Sequence, residues 1–231
     1  MTGEELLTRA ATVLQDIEHV RWPLPELVRW VNDGMRATVL AKPSANSATV
    51  ALTLVEGTLQ SLVDDAHLLL LRMPRNLKQA SPPIGGRAIR PTNREVLDAS
   101  EPSWHDRSVV PFKKEVRQYV YDEANPRGFY CYPGNDGTGI VEAVVSLLPT
   151  LLTASGDPDV LASYSAELGL PETYGVIVLD YVLYRSYSKD DVGADPGRAQ
   201  MHYQAFASAL GIKLQVEGAS SPNSRAKIAS T

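Results

Sequence analysis

Cysteine is nearly absent from the sequence, because Cys131 is the only one in 231 residues. No disulfide can form within one chain, which is typical of a protein made in a reducing cytoplasm. Cys131 lies between Tyr130 and Tyr132 in a predicted strand, away from the basic groups or helix N-terminus that activate a thiol. The pattern predicts a small buried apolar side chain and not a nucleophile.

Long hydrophobic runs are absent as well. The most apolar stretches, residues 68–71 and 174–184, are shorter than the ~20 residues that cross a bilayer. The N-terminal residues 1–5 include the acidic Glu4 and Glu5 and lack the basic and apolar segments of a secretory signal. With 44% hydrophobic and 21% charged residues, the composition is that of an ordinary globular protein. We therefore expect no association with a membrane.

Histidine is scarce, and none of the four histidines has a second potential ligand at the spacing of a zinc site. We expect no metal, no cofactor and no catalytic residue. His105 and Asp106 are the neighbouring pair that most resembles a general base with its orienting carboxylate. A loop that packs Trp104 is the favoured interpretation, and a hydrolytic dyad is the alternative. His202 falls on the apolar stripe of a predicted helix, where a packed histidine is favoured over a ligand.

An excess of basic charge, the usual mark of a protein that grips nucleic acid, is missing. The 22 basic and 27 acidic side chains give a formal net charge of −5, and the longest concentration of charge is residues 113–115. The glycine-rich residues 134–139 lack the Gly-Lys-Ser/Thr ending of a phosphate loop and are predicted to form a β-turn. Asp190 and Asp191 lack further acidic ligands, so they are predicted to end a helix and not to bind a cation.

Two amphipathic helices are predicted at the N-terminus. Thr2 followed by Glu5 is a capping-box pattern, in which each side chain satisfies a backbone N–H of the first turn. The apolar face that follows consists of Leu6, Leu7, Ala10, Val13, Leu14 and Ile17. Pro23 and Pro25 interrupt the chain and restart it. The second apolar face consists of Leu27, Trp30, Val31, Met35, Thr38 and Val39, before Pro43.

The middle of the chain changes to the alternating pattern of strands. The strand candidates are residues 49–54, 58–63, 87–91, 115–122, 128–132 and 139–147. The turn sequences at residues 125–128 and 133–137 each predict a hairpin connection. A short helix is predicted from about residue 91 to residue 99. Because the links between strands are short, this β-rich module is predicted to be antiparallel.

The helical pattern returns near the end of the chain. Pro171 and Glu172 open a helix that is apolar nearly all round and is therefore predicted to be buried on most sides. Asp195 and Pro196 are an N-cap and first-turn pair. The helix they start carries Ala199, His202, Tyr203, Phe206, Leu210 and Leu214. Residues 156–169 are predicted to be a loop with room for a short helix.

These elements predict an α+β fold. Residues 1–47 and 148–216 form a helical bundle, and residues 48–147 form an inserted antiparallel β-rich module. The small, polar, serine-rich residues 217–231 have too little apolar surface to fold alone and are predicted to be a flexible tail.

Several stretches together resemble a known family. They are RWPLPELVRWVNDG (residues 21–34), AKP (41–43), LVEGTLQSL (54–62), IR (89–90), REVLD (94–98), PSWH (102–105), YVYDE (119–123), PRGFYCYP (126–133), LDYVLYRSYSKD (179–190) and AQMHYQAF (199–206). In this order and combination they resemble the head-to-tail adaptor proteins of short-tailed bacteriophages, which are related to tail tubular protein A. The resemblance extends from about Leu6 to Val216.

The resemblance implies a non-enzymatic virion protein of the head–tail junction, assembled in the host cytoplasm. Such adaptors form a homo-oligomeric ring, usually of twelve copies, between the portal protein and the tail nozzle or tail tube. Phage DNA passes through the ring during ejection without specific binding. In the tail segment, Asn223, Arg225, Lys227 and Ile228 are the candidate partner-binding residues. The alternatives are a virion-associated cell-wall hydrolase that uses His105 and Asp106, and a DNA-binding packaging factor.

Overall fold

The computed structural model describes residues 1–121, 124–189 and 194–220, with side chains up to residue 211. The chain divides into two compact units. The first consists of Met1–Asn46 together with Leu148–Gln215, and the second is built on Ser47–Leu147. In sequence, the second unit is therefore an insertion into the first.

The described helices are, in chain order, α1 (Gly3–Leu14), α2 (Leu24–Ala41), α3 (Arg94–Ser100), α4 (Gly175–Ser188) and α5 (Pro196–Ser220). The first unit contains α1, α2, α4 and α5 as far as Gln215, and it adds short 3-10 turns at Pro43–Ala45, Leu161–Tyr164 and Glu172–Tyr174. The turn at Leu161–Tyr164 is the short helix for which the prediction over residues 156–169 left room. None of the described helices is long and apolar enough to cross a membrane.

One half of the predicted capping box of α1 is confirmed, since the Thr2 hydroxyl accepts a hydrogen bond of 3.1 Å from the Glu5 N–H. The Glu5 carboxylate pairs with Arg9. The predicted apolar face is wrong at its end, because Val13 and Ile17 are exposed. The helix stops at Leu14 with the next residue in the left-handed conformation, so the chain leaves the helix before residue 17.

Helices α1 and α2 both pack against α4. The predicted α2 face is confirmed, since Leu27, Val31, Met35 and Val39 are all buried. Gly34 allows the close approach of α4: a Cβ at this position would lie 3.0 Å from the Tyr181 ring. The two helices therefore meet at a point where no larger side chain fits without displacing that ring.

Helix α5 starts at Pro196, as the sequence indicated, whereas α4 starts only at Gly175, after a 3-10 turn that follows Pro171. The Asp195 carboxylate caps α5 by accepting a hydrogen bond of 3.0 Å from the Arg198 N–H. Burial of α4 is less complete than predicted, because Val176 is exposed on its first turn. Helix α5 continues to Ser220, four residues into the segment predicted to be a flexible tail. Residues 221–231, like Asp190 and Asp191, lie outside the described part of the chain.

The second unit consists of two four-stranded sheets. The strands are β1 (Ser47–Thr53), β2 (Glu56–Ser61), β3 (His67–Gln79), β4 (Ile84–Ala88), β5 (Arg90–Pro91), β6 (Gln118–Tyr121), β7 (Gly128–Asp136) and β8 (Ile140–Leu147). The strand orders are β1-β8-β3-β4 and β2-β7-β6-β5. Every pair is antiparallel except β5 with β6. With the helices of the first unit, this arrangement confirms the predicted α+β class.

One apolar core joins the two sheets. It includes Met73 and Val145 from the first sheet and Phe129 and Cys131 from the second. Cys131 lies between the less buried Tyr130 and Tyr132 on its strand, as expected when one face of a sheet is buried. Complete burial of a side chain such as Phe129 contributes about 1.5–3 kcal/mol.

Two strand predictions are wrong. Residues 133–137 do not connect a hairpin, because β7 runs on to Asp136 and pairs with β2 and β6, whereas β8 lies in the other sheet. The longest strand, β3, was not predicted, although it contains the apolar residues 68–71. Its bulges shift the inward-facing positions out of strict alternation, which hides the period-two pattern. The predicted hairpin between β6 and β7 is confirmed.

Candidate functional site

The loop after α3 covers the outer face of the second sheet with an aromatic cluster. Trp104 is completely buried there, and its indole N–H donates a hydrogen bond of 2.8 Å to the Asp98 carboxylate. Its ring meets the edges of Tyr130 and Tyr132, with centroids 5.9 and 6.4 Å away. The favoured sequence interpretation, a loop that packs its tryptophan, is confirmed.

His105 lies on this cluster and not in a catalytic pair. Its ring centroid is 3.7 Å from that of Trp104, and its Nδ1 lies 2.7 Å from the Thr58 hydroxyl. Partial burial against the cluster lowers the pKa of His105, and the positive charge of Arg94 lowers it further. The imidazole is therefore held in its neutral form at physiological pH.

Asp106 has partners of its own. Its Oδ1 accepts hydrogen bonds from the Ser108 backbone N–H (2.8 Å) and from the Ser108 hydroxyl (2.7 Å). These bonds lower the pKa of the Asp106 carboxyl. Because His105 is bound to Thr58 and Asp106 to Ser108, the structure does not bring the two side chains together as a base and its orienting carboxylate.

Cys131 is an apolar core residue, as predicted. Its side chain is completely buried in the core between the two sheets. Burial raises the pKa of the Cys131 thiol, which disfavours the nucleophilic thiolate.

The glycine-rich segment after β7 is organised by a buried asparagine. The Asn135 amide nitrogen donates to the carbonyls of Lys113 (3.1 Å) and Lys114 (3.0 Å). Its amide oxygen accepts from the N–H groups of Gly137 (2.9 Å) and Gly139 (3.1 Å). Since those N–H groups have partners within the loop, they are not offered to a phosphate, as expected from the sequence.

Aromatic side chains fill the contact between α4 and α5. The ring centroids of Tyr181 and Phe206 are 5.2 Å apart, and those of Tyr184 and Tyr203 are 5.1 Å apart. His202 lies within this seam, with its Nδ1 2.9 Å from an Asp180 carboxylate oxygen. The prediction that His202 is a packed residue is confirmed.

A metal centre is not formed by the described side chains, since no group of three or more histidine, cysteine, aspartate or glutamate residues lies within reach of one ion. The predicted partner-binding residues cannot be placed. Asn223, Arg225, Lys227 and Ile228 all lie outside the described residues.

A basic surface on the second unit was not predicted from the sequence. The β3–β4 arm, residues 67–88, carries exposed Arg72, Lys78 and Arg87. Lys78 and Lys114 line the same surface cavity. The signal was available, because residues 66–94 contain six arginine or lysine residues and no acidic residue. Counting charges over the whole chain hid this local excess.

What the two units offer is packing, exposed charge and aromatic seams, with no assembled reaction centre among the described side chains. A family model described as SU10 adaptor protein matches residues 1–226. The chain belongs to the SU10 adaptor protein family, which confirms the resemblance to phage adaptor proteins and makes the chain a structural component of a phage virion. No curated protein matches the chain significantly.

Proposed function

We propose that this protein is a non-enzymatic subunit of the ring that joins the head portal to the tail nozzle or tail tube. The observation that carries the proposal is the match to an adaptor family over residues 1–226, which includes both units and not one of them alone. The two separately folded units give the chain two surfaces, one for each of the two partners of an adaptor.

The side chains that would carry chemistry have structural roles instead. His105 is bound to Thr58, Asp106 to Ser108, and Cys131 is sealed in the core. Nothing in their geometry favours the hydrolase alternative, so adaptor function alone is proposed.

The ring consists of copies of this chain, twelve in number, around the path of the phage DNA. Contacts between two different surfaces of identical subunits generate a closed ring when the rotation between neighbours closes. The chain carries a formal net charge of −5, so the surface as a whole does not favour tight binding of phosphates. The DNA is therefore expected to pass through the ring without being held.

The C-terminal segment makes the contact with the portal or with a neighbouring subunit. Arg225 and Lys227 supply positive charge and Ile228 supplies apolar area, while Asn223 offers an amide. Together these side chains can dock on a partner surface by charge and by apolar contact. Ring formation is then controlled by the portal, which acts as a template, and not by the concentration of free subunits.

Reconstitution tests the proposal. Heads that are filled with DNA and carry a portal, but were produced without this protein, should lose DNA and fail to bind tails. Adding the purified chain should retain the DNA and restore tail attachment. The proposal is wrong if such heads bind tails equally well without the chain.

A further inference from the structure

The β3–β4 arm carries basic side chains and no acidic ones. The basic residues of positions 66–94 are Arg72, Arg75, Lys78, Arg87, Arg90 and Arg94, and there is no acidic residue among them. Two are neutralised nearby, since Arg75 pairs with Glu142 and Arg94 with Asp98. Within the described ranges, none of the exposed side chains of Arg72, Lys78 and Arg87 forms an ion pair. The arm therefore presents unbalanced positive charge to solvent.

Buried Asn76 fixes another basic segment beside this arm. Its amide nitrogen donates to the Arg87 carbonyl (3.0 Å) and to the Val116 carbonyl (2.7 Å). Its amide oxygen accepts from the Val116 N–H (2.8 Å). The backbone next to Lys114 is thus held against the arm.

The cavity at this junction carries a net positive charge. Lys78 from the arm and Lys114 from the neighbouring segment both line it, together with the single carboxylate of Glu115. We call Lys78, Arg87 and Lys114 the basic arm surface.

A second stretch of the chain has the opposite bias. Residues 128–184 contain no lysine, arginine or histidine, and their acidic residues are Asp136, Glu142, Asp157, Asp159, Glu167, Glu172 and Asp180. Four of these are exposed in the first unit, just before α4: Asp157, Asp159, Glu167 and Glu172. Among the residues whose placement is described, none of these four has an ion-pair partner. We call these four the acidic loop surface.

The acidic loop is a shaped surface and not a loose run of charge. The Tyr164 hydroxyl donates a hydrogen bond of 2.8 Å to the Pro158 carbonyl, and the Ser155 N–H donates one of 2.8 Å to the Ser163 carbonyl. Burial, followed by the charges of Asp159 and Asp157, raises the pKa of Tyr164. Val160, which follows Asp159, is 48% exposed, and Ile84 is 47% exposed at the start of β4. Each charged surface therefore offers an apolar side chain as well.

We infer that the basic arm surface of one copy of this chain binds the acidic loop surface of a second copy. The inference rests on the proposed function, since it assigns the contact between neighbours in the ring. The two surfaces belong to different units and carry opposite charge, so the contact is between unlike faces of identical chains. Contacts of that type propagate around a ring, and charge complementarity sets their orientation and speeds their formation.

Duplex DNA is the other polyanion that such an arm could bind. The matching acidic surface within the same chain favours a second copy, because each surface then balances the charge of the other. A DNA ligand would leave the acidic loop surface unexplained.

Charge reversal tests the inference. The variant K78E/R87E reverses the arm, and D159K/E172K reverses the loop; all four side chains are exposed and none forms an ion pair with a described residue. Each variant alone should lose association between chains, because like charges then face each other. An equimolar mixture should regain it, since the reversed arm of one variant meets the reversed loop of the other. R29E/R185E, at two exposed arginines of the first unit, makes the same change in net charge as the arm variant and should behave as the wild type.

Association is measured by zero-length cross-linking with a carbodiimide, which joins a lysine amine to a carboxylate in contact with it. A mixture of ¹⁴N- and ¹⁵N-labelled chains is bound to portal-bearing heads that lack this protein, because the portal is the proposed template of the ring. The two labels separate cross-links between chains from those within one chain, and about 50 mM salt keeps the surface charges weakly screened. The wild type should give mixed-isotope peptides that join Lys78 or Lys114 to residues 157–172. Lys114, Asp157 and Glu167 are present in both variants, and we expect each variant alone to give about tenfold fewer mixed-isotope peptides that join Lys114 to Asp157 or Glu167.

Several results would overturn the inference. One is the absence of mixed-isotope cross-links between these surfaces in the wild type, which decides the question even if a variant fails to fold. Another is submicromolar binding of duplex DNA at about 150 mM salt that K78E/R87E abolishes. If heads reconstituted with K78E/R87E retain DNA and bind tails as the wild type does, the inference fails while the proposed function stands.

Discussion

Buried asparagines fix the irregular parts of the second unit. Asn76 and Asn135 each make several hydrogen bonds to the backbone of distant segments. Apolar burial alone cannot fix such segments, because it does not specify direction. The inserted unit therefore depends on a few polar side chains for the shape of its surface.

Replacing Asn76 by alanine should lower the free energy of unfolding by about 2–4 kcal/mol, because it leaves the Val116 N–H and two carbonyls without partners. Urea denaturation measures the change. Thr49→Ala, at an exposed position on β1, is the control and should change stability by less than about 0.5 kcal/mol. A loss for Asn76→Ala no larger than that of the control would show that the backbone ties contribute little.

His105 should affect the pH dependence of stability and not a reaction. Its pKa in the folded state is lowered from about 6.5, so the unfolded chain binds the proton more tightly. The contribution of His105 to stability is complete above about pH 6.5 and is lost as the pH falls below that value. The wild type should therefore lose more stability than His105→Gln between about pH 7.5 and 5.5, as measured by urea denaturation. Equal losses of stability in the wild type and in His105→Gln would contradict a lowered pKa of His105.

At the scale of elements, the sequence predicted helices far better than strands. Thr2 and Asp195 could be recognised as helix starts because their side chains cap the first turn of the helix that follows. The apolar face of α2 was predicted correctly because one face of this helix packs against α4. Strand β3 was missed because its bulges break the alternation, and the assignment of β7 and β8 to different sheets depends on pairing with distant strands. Local patterns cannot report such partners.

The candidate sites show the same difference between features set by neighbouring residues and features set by distant ones. The burial of Cys131 and the packing of His202 followed from their immediate neighbours. The separation of His105 from Asp106 did not, because Thr58 is 47 residues away in the sequence and reaches His105 only through the fold. The basic residues of the arm can be recognised in the sequence as a run of like charge. Their proximity to Lys114 cannot, because it depends on the hydrogen bonds between Asn76 and Val116.

The C-terminal segment gives a prediction at this scale. Removing residues 221–231, which follow the last residue of α5, should leave the melting temperature within about 2 °C of the full chain while abolishing attachment to portal-bearing heads. Differential scanning calorimetry and a head-binding assay measure the two effects. R225E/K227E should reproduce the loss of attachment in a full-length chain. Undiminished attachment by both variants would assign the portal contact to the helices of the first unit.

At the scale of the whole molecule, charge is the property that a DNA conduit constrains most. The formal net charge is −5, and the chain carries one basic and one acidic surface. A ring that pairs these two surfaces leaves little exposed positive charge to bind the phosphates of DNA. The protein should bind duplex DNA with a dissociation constant above about 10 µM at about 150 mM salt. Fluorescence anisotropy with a labelled duplex measures it, and sequence-specific or submicromolar binding would contradict the role of a passive conduit.

Cryo-electron microscopy of the neck of the virion can show whether this chain forms the ring between portal and tail. We expect a ring of twelve copies directly below the portal, with residues 221–231 ordered against the portal or a neighbouring copy. A neck whose density between portal and nozzle belongs to another protein, with this chain elsewhere or missing, would contradict it.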